Sequence, residues 1–139
     1  MKQAQGQLSV STRSKGLYEI TRDVRRWLAG QAIQTGLLTV FIQHTSASLL
    51  IQENADPDVR RDLTEFFERL VPENTPWFRH TTEGPDDMPS HIRTALTTTQ
   101  LSIPVRGGEL ALGTWQGIYV FEHRSEAQSR SVLLHLIGD

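Results

Sequence analysis

Gly113-Thr114-Trp115-Gln116-Gly117-Ile118-Tyr119-Val120-Phe121-Glu122-His123-Arg124 is the run that decides the fold. Its centre, Ile118 to Phe121, is apolar at every position, so a strand here buries both of its faces. Two packed sheets would achieve that, as would a subunit interface over one of the faces. Strand alternation puts Gln116, Glu122 and Arg124 with Ile118 and Val120, and puts Trp115, Tyr119 and His123 on the opposite side.

The sequence on either side supplies partners for that strand. Gln7 to Thr12 alternates apolar and polar residues, Tyr18-Glu19-Ile20 follows the turn at Lys15-Gly16, and Leu37 to Ile42 reads as a buried strand ending at Gln43-His44. Ser48 to Gln52 and Ser131 to Ile137 are further strands, and Gln100–Val105 with Leu110–Leu112 form a hairpin around Arg106-Gly107-Gly108-Glu109. Thr21 or Asp23 opens a short helix through Val24, Trp27 and Leu28, with Gly30 as its stop. Asp56-Pro57 opens the clearest helix, because Asp56 can accept first-turn amides and the ring of Pro57 presets the first helical position. Val59, Leu63, Phe66, Phe67 and Leu70 then share one face, expected to be core, and Pro72 ends the run. Asp87 and Pro89 announce a last helix reaching about Leu96. Many strands joined by short turns, plus two to three helices, give an α+β class built on mainly antiparallel sheet, as one domain over residues 1–139.

Composition narrows the function. A chain of 139 residues with 37% hydrophobic and 22% charged residues can build its own core. A net charge of -2 argues against nucleic acid as a partner. With no cysteine, thiolate nucleophiles and thiolate zinc sites are excluded. Met1 to Gln7 lacks the apolar core of a signal peptide and no run reaches membrane-spanning length, so a cytoplasmic protein without a membrane partner is expected.

Chemistry concentrates between Trp77 and Arg93, where His80, Glu83, Asp86, Asp87 and His91 crowd a proline-broken segment. Unpaired charge is costly to bury, so these groups either lie in water or surround something that needs them. His80 and His91 do not follow the HExxH spacing, yet a loop histidine and a helix histidine can meet His44 around a metal. In the bland alternative Asp86 and Asp87 merely cap the helix. Three further clusters sit at element ends: His44 with Ser46, Glu53 with Asn54, and Glu122-His123-Arg124. His44 is a base, acid or ligand by residue type, or a rim histidine bonded to the backbone. Arg124 and Arg130 flank the last turn and suit a phosphate or carboxylate, or else pair with neighbouring acids. Imidazoles favour zinc, whereas Glu53, Asp86 and Asp87 favour magnesium.

Gln43-His44-Thr45-Ser46-Ala47-Ser48, Glu53-Asn54-Ala55-Asp56-Pro57, Gly84 through Ile92, and Gly113 through Tyr119 with Glu122-His123-Arg124 together resemble the YjbQ-like family, named for a secondary thiamine-phosphate synthase activity. The resemblance implies a compact two-layer domain, a homotrimer, and a pocket of these polar clusters near a subunit boundary. It implies joining a hydroxymethylpyrimidine diphosphate to a thiazole phosphate with release of pyrophosphate, a transfer whose leaving group a divalent ion, zinc or magnesium, can help to neutralise. Carried onto this chain, the expected catalytic residues are His44, Glu53, Asp87, His91 and Glu122. Ser46, Asn54, Gln116, His123, Arg124 and Arg130 are expected to bind a small phosphorylated metabolite, and His44, His80 and His91 a metal. The alternatives are a zinc-dependent hydrolase of such a metabolite and a non-catalytic trimeric binder of anions or small ligands.

Overall fold

The computed structural model describes all residues 1–139. In chain order the elements are β1 (Lys2–Thr12), β2 (Gly16–Glu19), α1 (Thr21–Ala29), β3 (Thr35–Ile42), β4 (Ala47–Glu53), α2 (Pro57–Leu70), α3 (Asp87–Leu96), β5 (Gln100–Arg106), β6 (Glu109–Leu110), β7 (Gln116–Glu122) and β8 (Gln128–Gly138). They form a five-stranded sheet, β1-β8-β3-β5-β6, and a three-stranded sheet, β2-β7-β4, with every pairing antiparallel. The class is α+β.

The double burial of β7 has a simple origin: it is the central strand of the smaller sheet and is covered on both faces. Ile118 and Val120 join Leu38, Val40, Val132 and Leu134 of the larger sheet in one core, and Val24 and Leu28 of α1 extend it. On the other face the Phe121 ring meets Phe67 of α2 edge-on, with centroids 5.4 Å apart. The β5–β6 turn is set by Gly107 and Gly108, both at positive φ (62° and 77°), as a tight hairpin demands. Gly6 has a different reason: a Cβ there would lie 2.1 Å from the Trp27 indole nitrogen, so glycine leaves room for the Trp27 ring of α1 against β1.

The apolar stripe of α2 is only partly a core face: no residue of the helix is fully buried, and Phe66 and Leu70 are 56% and 53% exposed. The helix is rotated so that Val59, Leu63 and Phe67 of the stripe are half-buried together with Arg60 and Thr64. The Arg60 guanidinium lies 6.0 Å from the Tyr119 ring centroid, and Phe66 and Leu70 are left outside. Asp56 does cap α2, accepting from the Asp58 amide at 2.9 Å.

Arg93 ties α3 to α2. It is almost wholly buried, and it donates to the C-terminal carbonyls of α2 at Phe67 (3.2 Å) and Val71 (2.7 Å). The Phe67 carbonyl keeps the Val71 amide as a partner, so replacing Arg93 with Met should orphan the Val71 carbonyl alone and lower the stability by about 1–3 kcal/mol, read from a urea midpoint.

Candidate metal centre

Asp87 and His91 lie one turn apart on α3, so their side chains share a face. His91 Nε2 is 3.1 Å from Asp87 Oδ2. The loop before α3 brings His80 to the same oxygen, with Nε2 at 2.7 Å, and places Glu83 Oε2 at 3.0 Å from that nitrogen. One ligand atom from each of His80, Glu83, Asp87 and His91 fits within 4.8 Å of all the others. The Asp87 side chain is only 3% exposed and that of Glu83 is 61% exposed, so the group forms a cup with a buried floor and an open mouth.

Arg124 fixes the floor. Its Nη1 donates to Asp87 Oδ1 at 2.8 Å, its Nε to Asp86 Oδ2 at 2.9 Å and its Nη2 to the Glu83 carbonyl at 3.0 Å. Asp86 also accepts from the Ser125 amide at 2.9 Å and makes no side-chain cap to α3. The capping alternative for these acids therefore fails. Burial is the largest single influence on each carboxyl and acts upward. It is outweighed at Asp86 by the Ser125 amide and Arg124, and at Asp87 by hydrogen bonds with His80 and Glu83 and the charges of His91 and Arg124. Both acids are held below the usual carboxylate range and carry full negative charge at neutral pH.

His91 carries the most telling geometry. Its Nδ1 lies 2.8 Å from the Thr45 carbonyl, an acceptor, while its Nε2 faces the Asp87 carboxylate, another acceptor. A neutral imidazole has one N–H and satisfies only one of them, so the second nitrogen requires either a proton or a metal ion. His80 Nε2 faces two carboxylates, and its pKa is raised above the ordinary 6.5, first by the hydrogen bond with Asp87. A charge-neutralising partner suits both rings.

The other expected residues go elsewhere. His44 stands outside this group: its Nε2 accepts from the Ser131 amide at 2.8 Å, and burial followed by the Arg130 charge lowers its pKa. Glu122 is fully buried and bound to Arg130 through both oxygens, with further hydrogen bonds from Thr12 Oγ1 (2.6 Å) and the Arg124 amide (3.1 Å). Arg130 also donates to the carbonyl and Oγ of Ser46. Its guanidinium is thus spent on the protein, as is that of Arg124. His123 is buried beside Ser48, whose Oγ is 2.9 Å from Nε2, and burial, with the charges of Arg93, Arg130 and Lys15, pushes its pKa down to about 3. It is a neutral interior residue.

Glu53, Asn54 and Gln116 lie at the far end of the smaller sheet, because antiparallel pairing sets Glu53 against Gln116 and Ala47 against Glu122. At ~3.3 Å per residue that end is about 20 Å from the Glu122 end of β7, beside which Arg124 reaches the cup, so one chain does not gather all the expected residues into one cavity. Glu83 is the member that the histidine-based expectation omitted. The i, i+4 pair of Asp87 and His91 was the sequence signal closest to the observed geometry.

A family model described as UPF0047 protein YjbQ-like matches residues 6–139. A UPF0047 protein of Synechocystis is 49% identical over 138 residues, covering 99% of this chain and 94% of its own length. UPF0047 protein YjbQ of Escherichia coli O157:H7 is 44% identical, with 95% and 96% covered. Among solved structures, a hypothetical protein of Aeropyrum pernix K1 superimposes with a TM-score of 0.89 at 31% identity, covering 98% of this chain and 99% of its own. A YbjQ-like protein of unknown function from Sulfolobus solfataricus P2 shares the fold, with a TM-score of 0.91 at 22% identity and 99% of both chains covered. With nearly the whole chain matched in sequence and fold, this protein belongs to the UPF0047 YjbQ-like family.

Proposed function

We propose that the chain is a metal-assisted enzyme acting on a small phosphorylated metabolite, with a divalent ion held by His80, Glu83, Asp87 and His91. The observation that carries this reading is His91, whose two nitrogens both face acceptors and whose Nδ1 anchor on Thr45 aims Nε2 into the cup. Two imidazole nitrogens and two carboxylates suit zinc or a similar borderline ion better than magnesium, which prefers an all-oxygen shell. When bound, such an ion supplies positive charge to a phosphate or diphosphate. The protein's part is to hold Asp87 ionised through Arg124 and to fix the plane of His91 through Thr45.

The reaction favoured by the family resemblance is thiamine-phosphate synthase-like transfer, as a secondary activity. The thiazole nitrogen lone pair forms a bond to the pyrimidine methylene carbon, and the carbon–oxygen bond to diphosphate breaks, its electron pair leaving with pyrophosphate. Positioning and charge neutralisation provide most of the rate. Purified protein given both substrates and a divalent ion should release thiamine phosphate well above a His91→Ala control; equal product from the two would refute the assignment. A zinc-dependent hydrolase of a phosphorylated metabolite is the second reading, favoured by the nitrogen-containing donor set.

Metal affinity should rise with pH. His80 holds its proton more tightly than a free histidine does, so a metal ion must displace that proton below the raised pKa and need not do so above it. In the metal-free chain the sign is opposite: the His80 contribution to folding is present at low pH and is lost as pH rises through the raised value. Zinc titrations between pH 5.5 and 8 that show no gain in affinity would count against His80 as a ligand.

Assembly as a homotrimer is part of the proposal. Leu37, Phe41 and Ile137 remain exposed on the outer face of the five-stranded sheet, with Leu37 and Ile137 paired across β3 and β8. An uncovered sheet face of this kind suits a second copy. Light scattering should give a particle of three 15.7 kDa chains, and Leu37→Lys should reduce its mass. A monomeric native protein would contradict the assembly.

A further inference from the structure

Beside the cup lies a cleft of about 440 Å³ at whose border His91 and Thr45 stand. His44 forms part of its wall and also lines a second, adjoining cleft of about 430 Å³. Neither cleft has a lysine or arginine among its lining residues, so away from His91 at the border with the cup it offers no cation to an anion.

The polar groups there have fixed roles. Ser131 N–H donates to His44 Nε2, so that nitrogen is the lone-pair side of the ring and the ring hydrogen is on Nδ1. Nδ1 has no partner within the chain, and the ring as a whole is only half-buried. The hydroxyls of Thr94, Thr97 and Thr98 donate to the carbonyls of Ser90, Arg93 and Gln100, so toward a ligand they present lone pairs. Thr99 makes no side-chain hydrogen bond of its own and lines both clefts. Apart from His91 at the border with the cup, the wall therefore combines one oriented N–H donor with a row of acceptors and no charged side chain.

We propose that this cleft seats the uncharged half of the substrate, a neutral ring carrying an acceptor nitrogen beside an amino donor, while the phosphates lie at the cup. His44 is then a positioning and specificity residue, donating through Nδ1 to the ring acceptor, and the threonine oxygens take the amino hydrogens. The placement rests on the metal-centre reading, since His91 is the group shared by the cup and the cleft.

Two probes separate the halves: the unphosphorylated aminopyrimidine alcohol for the cleft, and inorganic pyrophosphate with zinc for the cup. Binding is followed by NMR on the intact protein, including the imidazole ¹H–¹⁵N signals of His44. The native chain should bind the aminopyrimidine with or without zinc, shifting the His44 Nδ1–H signal. His44→Ala should weaken that binding about tenfold while leaving zinc stoichiometry and pyrophosphate binding unchanged. Thr99→Val, which breaks no internal hydrogen bond, should weaken it about fivefold and serves as the check if His44→Ala unfolds. Asp87→Asn should lose pyrophosphate and keep the aminopyrimidine. The proposal is overturned if the native chain does not bind the aminopyrimidine, if Thr99→Val and His44→Ala bind it normally, or if His44→Ala also loses zinc. Failure of the metal-centre reading would look different, with the native chain taking up no zinc.

Discussion

Replacing Glu122 with alanine is expected to cost about 3–5 kcal/mol of folding stability, the largest loss of any single substitution considered for this chain. Its carboxylate is fully buried and receives Arg130, Thr12 and the Arg124 amide. Truncation leaves the Arg130 guanidinium buried at the junction of β7 and β8 with its countercharge gone, and desolvation of that charge is no longer offset. Removing both members together, as Glu122→Leu with Arg130→Met, should recover much of the loss, because an apolar pair fills the space without an orphaned ion. Urea midpoints of the three variants read this out. A Glu122→Ala protein as stable as the native chain but inactive would instead make the carboxylate a chemical group.

Asp87→Asn should have the largest effect on function, lowering activity at least about 100-fold while leaving the fold intact. One carboxylate does two things: Oδ1 receives Arg124, and Oδ2 faces both His80 and His91. An amide of the same shape supplies no negative charge and presents an NH₂ to one of those partners. Asp86→Asn is the informative comparison. Asp86 contacts Arg124 and Ser125 but neither histidine, so it acts only by holding Arg124 and should cost about tenfold. If Asp86→Asn were as damaging as Asp87→Asn, the acids would be acting as one electrostatic patch rather than as ligand and support.

The strands and helices were legible where local rules suffice. The apolar run of β7, the Asp56-Pro57 start of α2, the Gly107-Gly108 turn and the α3 segment all read directly from residue type and spacing. The N-terminal half of β1 did not, because Gln3, Gln5 and Gln7 alternate with Ala4 and Gly6 and give no apolar signal. The rotation of α2 was also hidden, since nothing in its stripe shows that Arg60 would turn toward Tyr119 and leave Phe66 outside.

At the site, the crowding of acids and histidines between His80 and His91 was visible, but the partners of each were not. Strand pairing decides that Glu53 and Gln116 lie at the end of β7 opposite Glu122. The packing of one sheet on the other brings Arg130 of β8 to Glu122 of β7 and neutralises it. His44 was grouped with the other imidazoles by type alone. Its ring is instead turned to the β8 backbone, a contact between residues 87 positions apart that no local pattern carries.

Zinc stoichiometry measured by calorimetry on the metal-free native chain and on Asp87→Asn at matched stability tests the metal centre most directly. One ion per native chain and none in the variant is the expected result. Native protein that takes up no ion, or a variant that binds as the native chain does, would contradict it.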